Sequence, residues 1–444
     1  MNGSYSNSSN NSKRETNNIK YITNWVIALI NIMVITFYDY PSRNQIMLGW
    51  LIILTSIIFL IRVKRTRTLL FLVSIITYIN ISIAVIDCFY GGEMLSAYQW
   101  ELRHSQYNQS YAKSILLNIT IISLIMTPSA VKKAIETNYA IEHIERKNNL
   151  AITWVGMAFI VYALIFGYER TQSSIYVSNA KPLYEYAIMV FVMVWYYSKG
   201  SKTTNVMLKV FVLIYIIQGL YYGDRSSALV MMVLIGMVYI NRASVLKMTF
   251  LGVLGIVFAN IVAICRDLSN AGIRDIVESL VNRGALLLFS DTASYSYYAG
   301  ITIVASRLSL PQQPIYYLYK FIGAVFLGSS ITSLGDADIT VVVRQVNYNA
   351  GGGLYPSYFY FWGEYIGIIV GAIILGFIIK RVFTKKSTYS VIMQFFLTVM
   401  CFRWYLYTPM TLYRTSLLVF STLYLLCYVF NKITSKKSLV YLPR

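Results

Sequence analysis

The sequence predicts an all-α polytopic membrane protein with about 12 transmembrane helices and a long, partly helical outer loop. Three observations carry that prediction. Of 444 residues, 57% are hydrophobic and only 13% charged, about half the charge of an average soluble protein and too little to cover a water-facing surface. Apolar runs of about 17–20 residues recur along the chain, the length that crosses a hydrocarbon core as a helix. The basic residues also segregate: the whole net charge of +20 falls on one face, while acids and bases balance on the other. That is the positive-inside pattern rather than a nucleic-acid patch. Soluble, collagen-like, disulfide-framework and disordered classes are excluded. Membrane lipids are expected partners and nucleic acid is not.

Residues 1–20, MNGSYSNSSNNSKRETNNIK, are Asn/Ser-rich and read as a disordered cytoplasmic tail. Lys13, Arg14 and Lys20 resemble a signal-peptide start, but YDYPSR follows the apolar run 21–38 with no small-residue cleavage site. The run therefore reads as an uncleaved first helix. Further spans fall at 45–61, 69–86, 114–131, 150–168, 183–198, 205–222, 226–240, 248–265, 360–380, 388–402 and 415–430. The first nine helices thus occupy 21–265, with an outer loop at 87–113, and the last three occupy 360–430. A second cytoplasmic tail covers 431–444. RVKRTR at 62–67, NRASVLK at 241–247 and KRVFTKK at 380–386 supply the basic inner connections.

Residues 266–359 form the large periplasmic loop. Within it, Ile273, Ile276, Val277, Leu280 and Val281 recur at helical spacing opposite Arg274, Asp275, Glu278, Asn282 and Arg283. That pattern suits an amphipathic helix in the headgroup plane or roofing the bundle. A second apolar piece at 316–332 follows PQQP and reads as re-entrant or interfacial. Cysteine is sparse, and Cys88 and Cys265 read as two unrelated thiols rather than a bridge. Only His104 and His143 exist, no spacing suits a metal, and no cofactor is expected.

Arginine outnumbers lysine on the outer face, and lysine outnumbers arginine inside. Topology needs only positive charge within, so outer arginines call for another reason. A guanidinium is a fixed fork that holds phosphate bidentately. Arg225, Arg266, Arg274, Arg283, Arg307 and Arg344 are all expected near the outer interface, where a lipid-linked diphosphate would sit; headgroup contacts and ion pairing are the plain alternative. Arg225 lies in GDRSS (223–227), a tight turn that interrupts a long apolar stretch and would fix a cation at the mouth of the bundle.

The other candidate is GGGLYPSYFYFWGEYIG at 351–367. Gly351, Gly352 and Gly353 would let backbone approach a ligand, and Pro356 is expected to start the descent into the membrane. Tyr355, Tyr358 and their neighbours suit an aromatic belt or sugar stacking. Glu364 is expected just inside the outer interface, where an acid is costly unless paired or used. Arg225 and Arg344 are its natural partners. Asp336, Asp338 and Asp291 are loop carboxylates able to act as a base, with solvated acids the default. His104 reads the same way.

Taken together, the spans, the G-x-R turn of GDRSS, and a long outer loop ending in Gly-rich P-S…G-E-x-x-G resemble the bacterial O-antigen polymerases, the Wzy family. The resemblance covers most of the chain as architecture and only two short stretches as motifs. It implies a GT-C-like, metal-independent glycosyltransferase in the inner membrane of a Gram-negative bacterium, with its active site facing the periplasm. Such an enzyme transfers a growing glycan from undecaprenyl diphosphate to a lipid-linked oligosaccharide repeat unit and releases undecaprenyl diphosphate. A polysaccharide chain-length regulator is the protein partner it implies. Arg225 inherits the diphosphate-binding role; Arg283, Arg344, Arg266 and Arg274 are candidates by position, and Glu364 or Asp336 is the candidate base. Two alternatives stay open. An O-antigen ligase would use a histidine late in the outer loop, and both histidines here precede residue 150. A lipid-linked oligosaccharide flippase would place ionisable groups mid-membrane, where none falls.

Overall fold

A computed structural model describes residues 22–92, 100–103, 105–141, 146–168, 181–222, 225–238, 250, 252–258, 260–261, 264, 272–328, 331–349 and 351–440. The first tail, His104, His143, Cys265, Arg266, the Gly223–Asp224 pair of GDRSS and residues 441–444 lie outside that set, and the side chain of Arg225 does too; within the stretch expected as a second tail, 431–440 continues the last helix. Among the described residues every regular element is helical, apart from one isolated bridge between Asn148 and Ser198.

The helices are α1 (Ile22–Phe37), α2 (Ile46–Val63), α3 (Arg67–Phe89), α4 (Gln106–Ile125) and α5 (Pro128–Ile141). Then come α6 (Leu150–Phe166), α7 (Pro182–Tyr197), α8 (Lys202–Tyr221), α9 (Arg225–Val238) and α10 (Ile273–Arg283). The series ends with α11 (Asp291–Ser306), α12 (Pro314–Leu327), α13 (Tyr355–Thr384), α14 (Thr388–Val399) and α15 (Thr411–Thr434). Among the described residues α2, α3, α8, α13 and α15 are long and apolar enough to cross a membrane, and α4 with α5 makes a sixth if that bent pair is one span. α1, α6, α12 and α14 are apolar but shorter, below the roughly 20 residues a straight crossing needs.

The chain divides into two compact units. The first draws on Met1–Glu142, Asp291–Leu318 and Ile339–Lys386, the second on His143–Ser290, Tyr319–Asp338 and Ser387–Arg444. In the first unit α4 begins at Gln106, inside the stretch expected to be loop. Hydropathy missed this because QYNQSYAK is polar, yet its two amide side chains are satisfied internally. The Asn108 amide donates to the carbonyls of Arg103 (2.9 Å) and Arg43 (3.1 Å) and accepts from the Tyr297 hydroxyl (2.7 Å). Gln109 donates to the Tyr38 carbonyl at 3.2 Å. The span expected at 114–131 is also not straight, because α4 and α5 meet at 68°. Arg62 donates to the freed carbonyls of Ser123 (2.9 Å) and Met126 there, so the break carries its own cap.

α11 is the larger surprise. Its sixteen residues sit in the stretch read as periplasmic loop, and most are buried, Asp291 among them. Tyr, Ser and Thr dilute its hydropathy, but the hydroxyls of Ser294, Tyr297 and Thr302 bond within the unit. α3 ends as a π-helix over Ala84–Phe89, which carries Asp87 inward. Arg103 and Ser294 both donate to the same Asp87 oxygen at 2.6 Å, and the Arg103 guanidinium lies 5.4 Å over the Tyr298 ring.

α13 is not one rod. Gly363 (φ −154°, ψ 23°) and Glu364 (φ 53°, ψ −137°) leave helical geometry. The Tyr355 hydroxyl donates to the Gly371 carbonyl at 2.9 Å, sixteen residues on, whereas a straight helix would separate them by about 24 Å. The segment is therefore a helical hairpin: 355–362 is folded back beside 365–384, with Gly363–Glu364 at the tip. A Cβ on Gly367 would overlap the Phe359 carbonyl, and one on Gly371 would overlap the Phe359 ring. Small residues every fourth position let the two arms touch. This corrects the expectation that Pro356 starts the descent, because the long arm begins at Glu364. That arm, about 30 Å of helix, is the membrane-length part.

In the second unit, α10 forms where its periodicity predicts, with none of its residues buried; Ile273 and Val281 are 82% and 72% exposed. Cys88, in the first unit, is a buried free thiol.

Candidate functional site

The hairpin tip of the first unit gathers the chemistry. Arg307 follows α11 directly. Its Nη1 reaches a Glu364 oxygen at 2.5 Å, and its Nε donates to the Phe361 carbonyl at 2.9 Å. The natural partner of Glu364 is thus Arg307, where Arg225 and Arg344 were expected. The carboxylate is not buried: its side chain is 55% exposed, against 20% for Arg307.

The floor beneath this pair is apolar. Ile303, Ile339, Val343, Tyr358 and Phe361 form one buried cluster, which fixes the end of α11 against the short helix Ile339–Val343 and the outer arm of the hairpin. Asn347 donates to the Ser306 hydroxyl at 2.6 Å, so the turns that carry Arg307 and Arg344 are tied together. Arg344 is exposed and donates through Nε to the Asn349 side chain at 3.2 Å. The same Asn349 oxygen accepts from the Gly351 amide at 3.0 Å.

Gly351, Gly352 and Gly353 adopt φ of 89°, 78° and 155°, a region that favours glycine. What comes close to them is the protein itself. A Cβ on Gly351 would overlap the Arg344 guanidinium, and one on Gly353 would lie 2.8 Å from Ile303. These glycines therefore build the turn instead of opening room for a ligand. Tyr355 and Tyr358 are fully buried, so neither offers a face to a sugar. Half-exposed Tyr360 and Tyr365 flank the tip instead, rings 5.5 Å apart.

Glu364 is the only described non-glycine residue with positive φ. A side chain held in that region costs on the order of 1–3 kcal/mol. An exposed ion pair returns about 0–1 kcal/mol, which does not offset it. On these terms the backbone at this position suits glycine better than glutamate.

The second unit carries a separate cluster. Arg403 donates through Nη1 to Glu185 at 2.6 Å and through Nη2 to the Ser227 hydroxyl. Ser227 is the last residue of GDRSS, and Arg225 is the first residue of α9. Sequence reasoning missed Arg403, although a lone arginine in the aromatic run FRWYLY was a signal. Arg414 donates to the carbonyls of Ala324 and Val325, both at 3.1 Å, and so caps α12 where cations are favoured. Arg274 is exposed and Arg283 half-buried on α10. Asp336 is exposed in the 3-10 turn Thr332–Ala337, and Asp338 is half-buried. Asp336 belongs to the second unit and Glu364 to the first, so the two candidate bases do not share one compact core. Arg266 lies outside the described residues.

Comparison with protein-family models, with curated proteins and with solved structures returned no match.

Proposed function

We propose that this chain is a glycan polymerase of the O-antigen type, a metal-independent glycosyltransferase acting on lipid-linked oligosaccharide at the periplasmic face of a Gram-negative inner membrane. The observation that carries the reading is Glu364: a partly exposed carboxylate kept in strained backbone at a hairpin tip, with a guanidinium bonded to it and tyrosines around it. Twelve spans in a GT-C-like arrangement belong to the same proposal; named helices lie near eleven of the twelve expected positions, several of them short, and the ninth, 248–265, is described only in pieces.

In this reading the donor is the growing glycan on undecaprenyl diphosphate, and the acceptor is the terminal sugar of one lipid-linked repeat unit. An acceptor hydroxyl attacks the donor's anomeric carbon, and the bond from that carbon to the diphosphate oxygen breaks. The diphosphate leaves with the bonding electron pair, and Glu364 takes the hydroxyl proton. Arg307 holds the carboxylate in place and aims it. Tyr360 and Tyr365 offer faces for the acceptor ring. Charge on the leaving diphosphate falls to arginine, Arg225 being the residue the resemblance implies and Arg344 the one in the same unit as Glu364, because a good leaving group needs chiefly electrostatic stabilisation and positioning. A chain-length regulator is the protein partner in this scheme.

The test is deletion of the gene in its host, read by lipopolysaccharide gels after complementation. Wild type should restore a polymer ladder to a core bearing one repeat unit, and Glu364→Gln, Arg225→Ala and Arg307→Gln should fail at equal expression. Core alone, with lipid-linked glycan stranded in the membrane, would sink the polymerase reading and point to ligation or flipping.

A further inference from the structure

The first unit contains a cleft that the proposed chemistry leaves unused. It opens where α1 turns into α2, with a cavity of about 530 Å³, within the roughly 300–1,000 Å³ typical of small-molecule sites. Ile46, Met47 and Leu51 form its wall, and the Trp50 ring stands at its mouth. Tyr38, Tyr40 and Asn44 close the end that leads to the α1–α2 connection. None of these lining residues is charged.

The walls are built in advance. The Trp50 ring packs on Phe89 at 5.0 Å. Phe89 itself fits where residue 49 has no side chain, since a Cβ on Gly49 would lie 2.7 Å from its ring. The connection is pinned from several sides: Gln109 holds the Tyr38 carbonyl, the Gln45 amide donates to the Cys88 carbonyl at 2.8 Å, and the Gln45 side chain donates to the Ser42 carbonyl at 2.8 Å.

The occupant follows from what adjoins the cleft. Its wall continues along α2 as an exposed apolar stripe through Leu54, Ile57 and Ile61, the outward face of a helix long and apolar enough to cross a membrane. Hydrocarbon covers such a face, and Tyr and Trp at its end mark headgroup level. A diphosphate or another charged group would find no counter-ion among the lining residues. We infer that this cleft holds one acyl chain of a bilayer phospholipid as a defined site, with Trp50 and Met47 gripping the chain and Tyr38 and Tyr40 at its headgroup end.

The test uses the full chain in vesicles of phosphatidylethanolamine and phosphatidylglycerol, with a tracer of phosphatidylethanolamine carrying a diazirine within the acyl chain. After illumination, labelled residues are mapped by mass spectrometry. Labelling at 38–51 should exceed by several-fold that at Leu425 and Leu426, which are equally apolar and exposed on α15 but do not line this cleft. Trp50→Gln and Met47→Gln should each lower cleft labelling and leave Leu425 and Leu426 unchanged, which also reports that the variants remain folded and inserted. Equal labelling at the two places would mean ordinary annular lipid and overturn the site. Stronger labelling from a headgroup-borne diazirine than from the acyl one would overturn it in favour of a polar occupant. Glycan polymerisation enters none of these readouts, so this inference and the proposed function stand or fall separately.

Discussion

Two arginine–carboxylate pairs in the same compact unit have nearly the same length and opposite surroundings. Arg103–Asp87 measures 2.6 Å, with 9% and 0% of the side chains exposed, and Ser294 shares the carboxylate. Arg307–Glu364 measures 2.5 Å, with 20% and 55% exposed. Asp87 arrives on a helical backbone that ends as a π-turn, while Glu364 sits at φ 53°. The first pair locks α3, the Trp100–Arg103 turn and α11 together, so its energy is spent inside the fold. The second pair contributes little to the fold and yet is kept in strained backbone. Contact length does not distinguish the two pairs; burial and backbone conformation do.

The largest effect should come from breaking the buried pair. Arg103→Ala leaves the Asp87 carboxylate uncompensated in the interior, at a cost of roughly 3–5 kcal/mol. A sharp fall in the thermal midpoint of the detergent-purified protein, or loss of the protein from membranes, would register it. Arg103→Leu combined with Asp87→Leu should recover much of that loss, because a buried pair replaced by apolar groups is often close to neutral. If the double variant is as unstable as the single, this pair does more than hold the helices, and the contrast with Arg307–Glu364 weakens.

A middle-sized effect tests the hairpin that presents Glu364. Gly367→Ala sets a Cβ against the Phe359 carbonyl. That oxygen belongs to backbone and cannot rotate away, so about 1–3 kcal/mol of destabilisation is expected. Gly363→Ala is the internal control for the contact, since a Cβ there would meet nothing within 4 Å. Thermal midpoints of the two variants should differ clearly. Equal midpoints would mean that the arms do not press together at Gly367, and that the tip is looser than the Tyr355–Gly371 hydrogen bond implies.

Much of this was legible in the sequence, and the rest was hidden for physical reasons. Apolar length gave α2, α3, α8, the long arm of α13 and most of α15, because burial in hydrocarbon is read directly from composition. The periodicity of 273–283 gave α10. Glycine, aromatic and acidic residues crowded together also marked out GGGLYPSYFYFWGEYIG and Glu364. Chain reversal inside that motif was not legible: the apolar residues from 360 onward read as one continuous span, and only the Gly363, Gly367 and Gly371 spacing hints that two helices touch. α11 escaped because its stability lies in hydroxyl partners such as Asp87 and Asn108, which are distant in sequence. Arg307 as the partner of Glu364 and Arg403 as the partner of Glu185 escaped for the same reason, since pairing across long separations leaves no local trace.

The smallest effect on the fold is also the sharpest probe of the comparison. Glu364→Gly removes the side chain that makes φ 53° costly and gives up an exposed ion pair worth about 0–1 kcal/mol. The added freedom of glycine in the unfolded chain subtracts about 0.4–1 kcal/mol. Relief of strain, of order 1–3 kcal/mol, should leave the variant between about 1 kcal/mol less stable and about 2.5 kcal/mol more stable than wild type. Glu364→Gln keeps the strain and the shape and loses only the charge, so its midpoint should stay near wild type. Both variants should nonetheless lose function, by about 10²–10⁴-fold if the carboxylate moves a proton. A stable and active Glu364→Gly would mean that the carboxylate is dispensable and the strain incidental. A Glu364→Gly protein that fails to fold would put Arg307–Glu364 in the same class as Arg103–Asp87. Only a stable, inactive glycine variant, matched by an inactive glutamine variant, keeps the two pairs apart: one holding α3 to α11, the other holding a base where chemistry needs it.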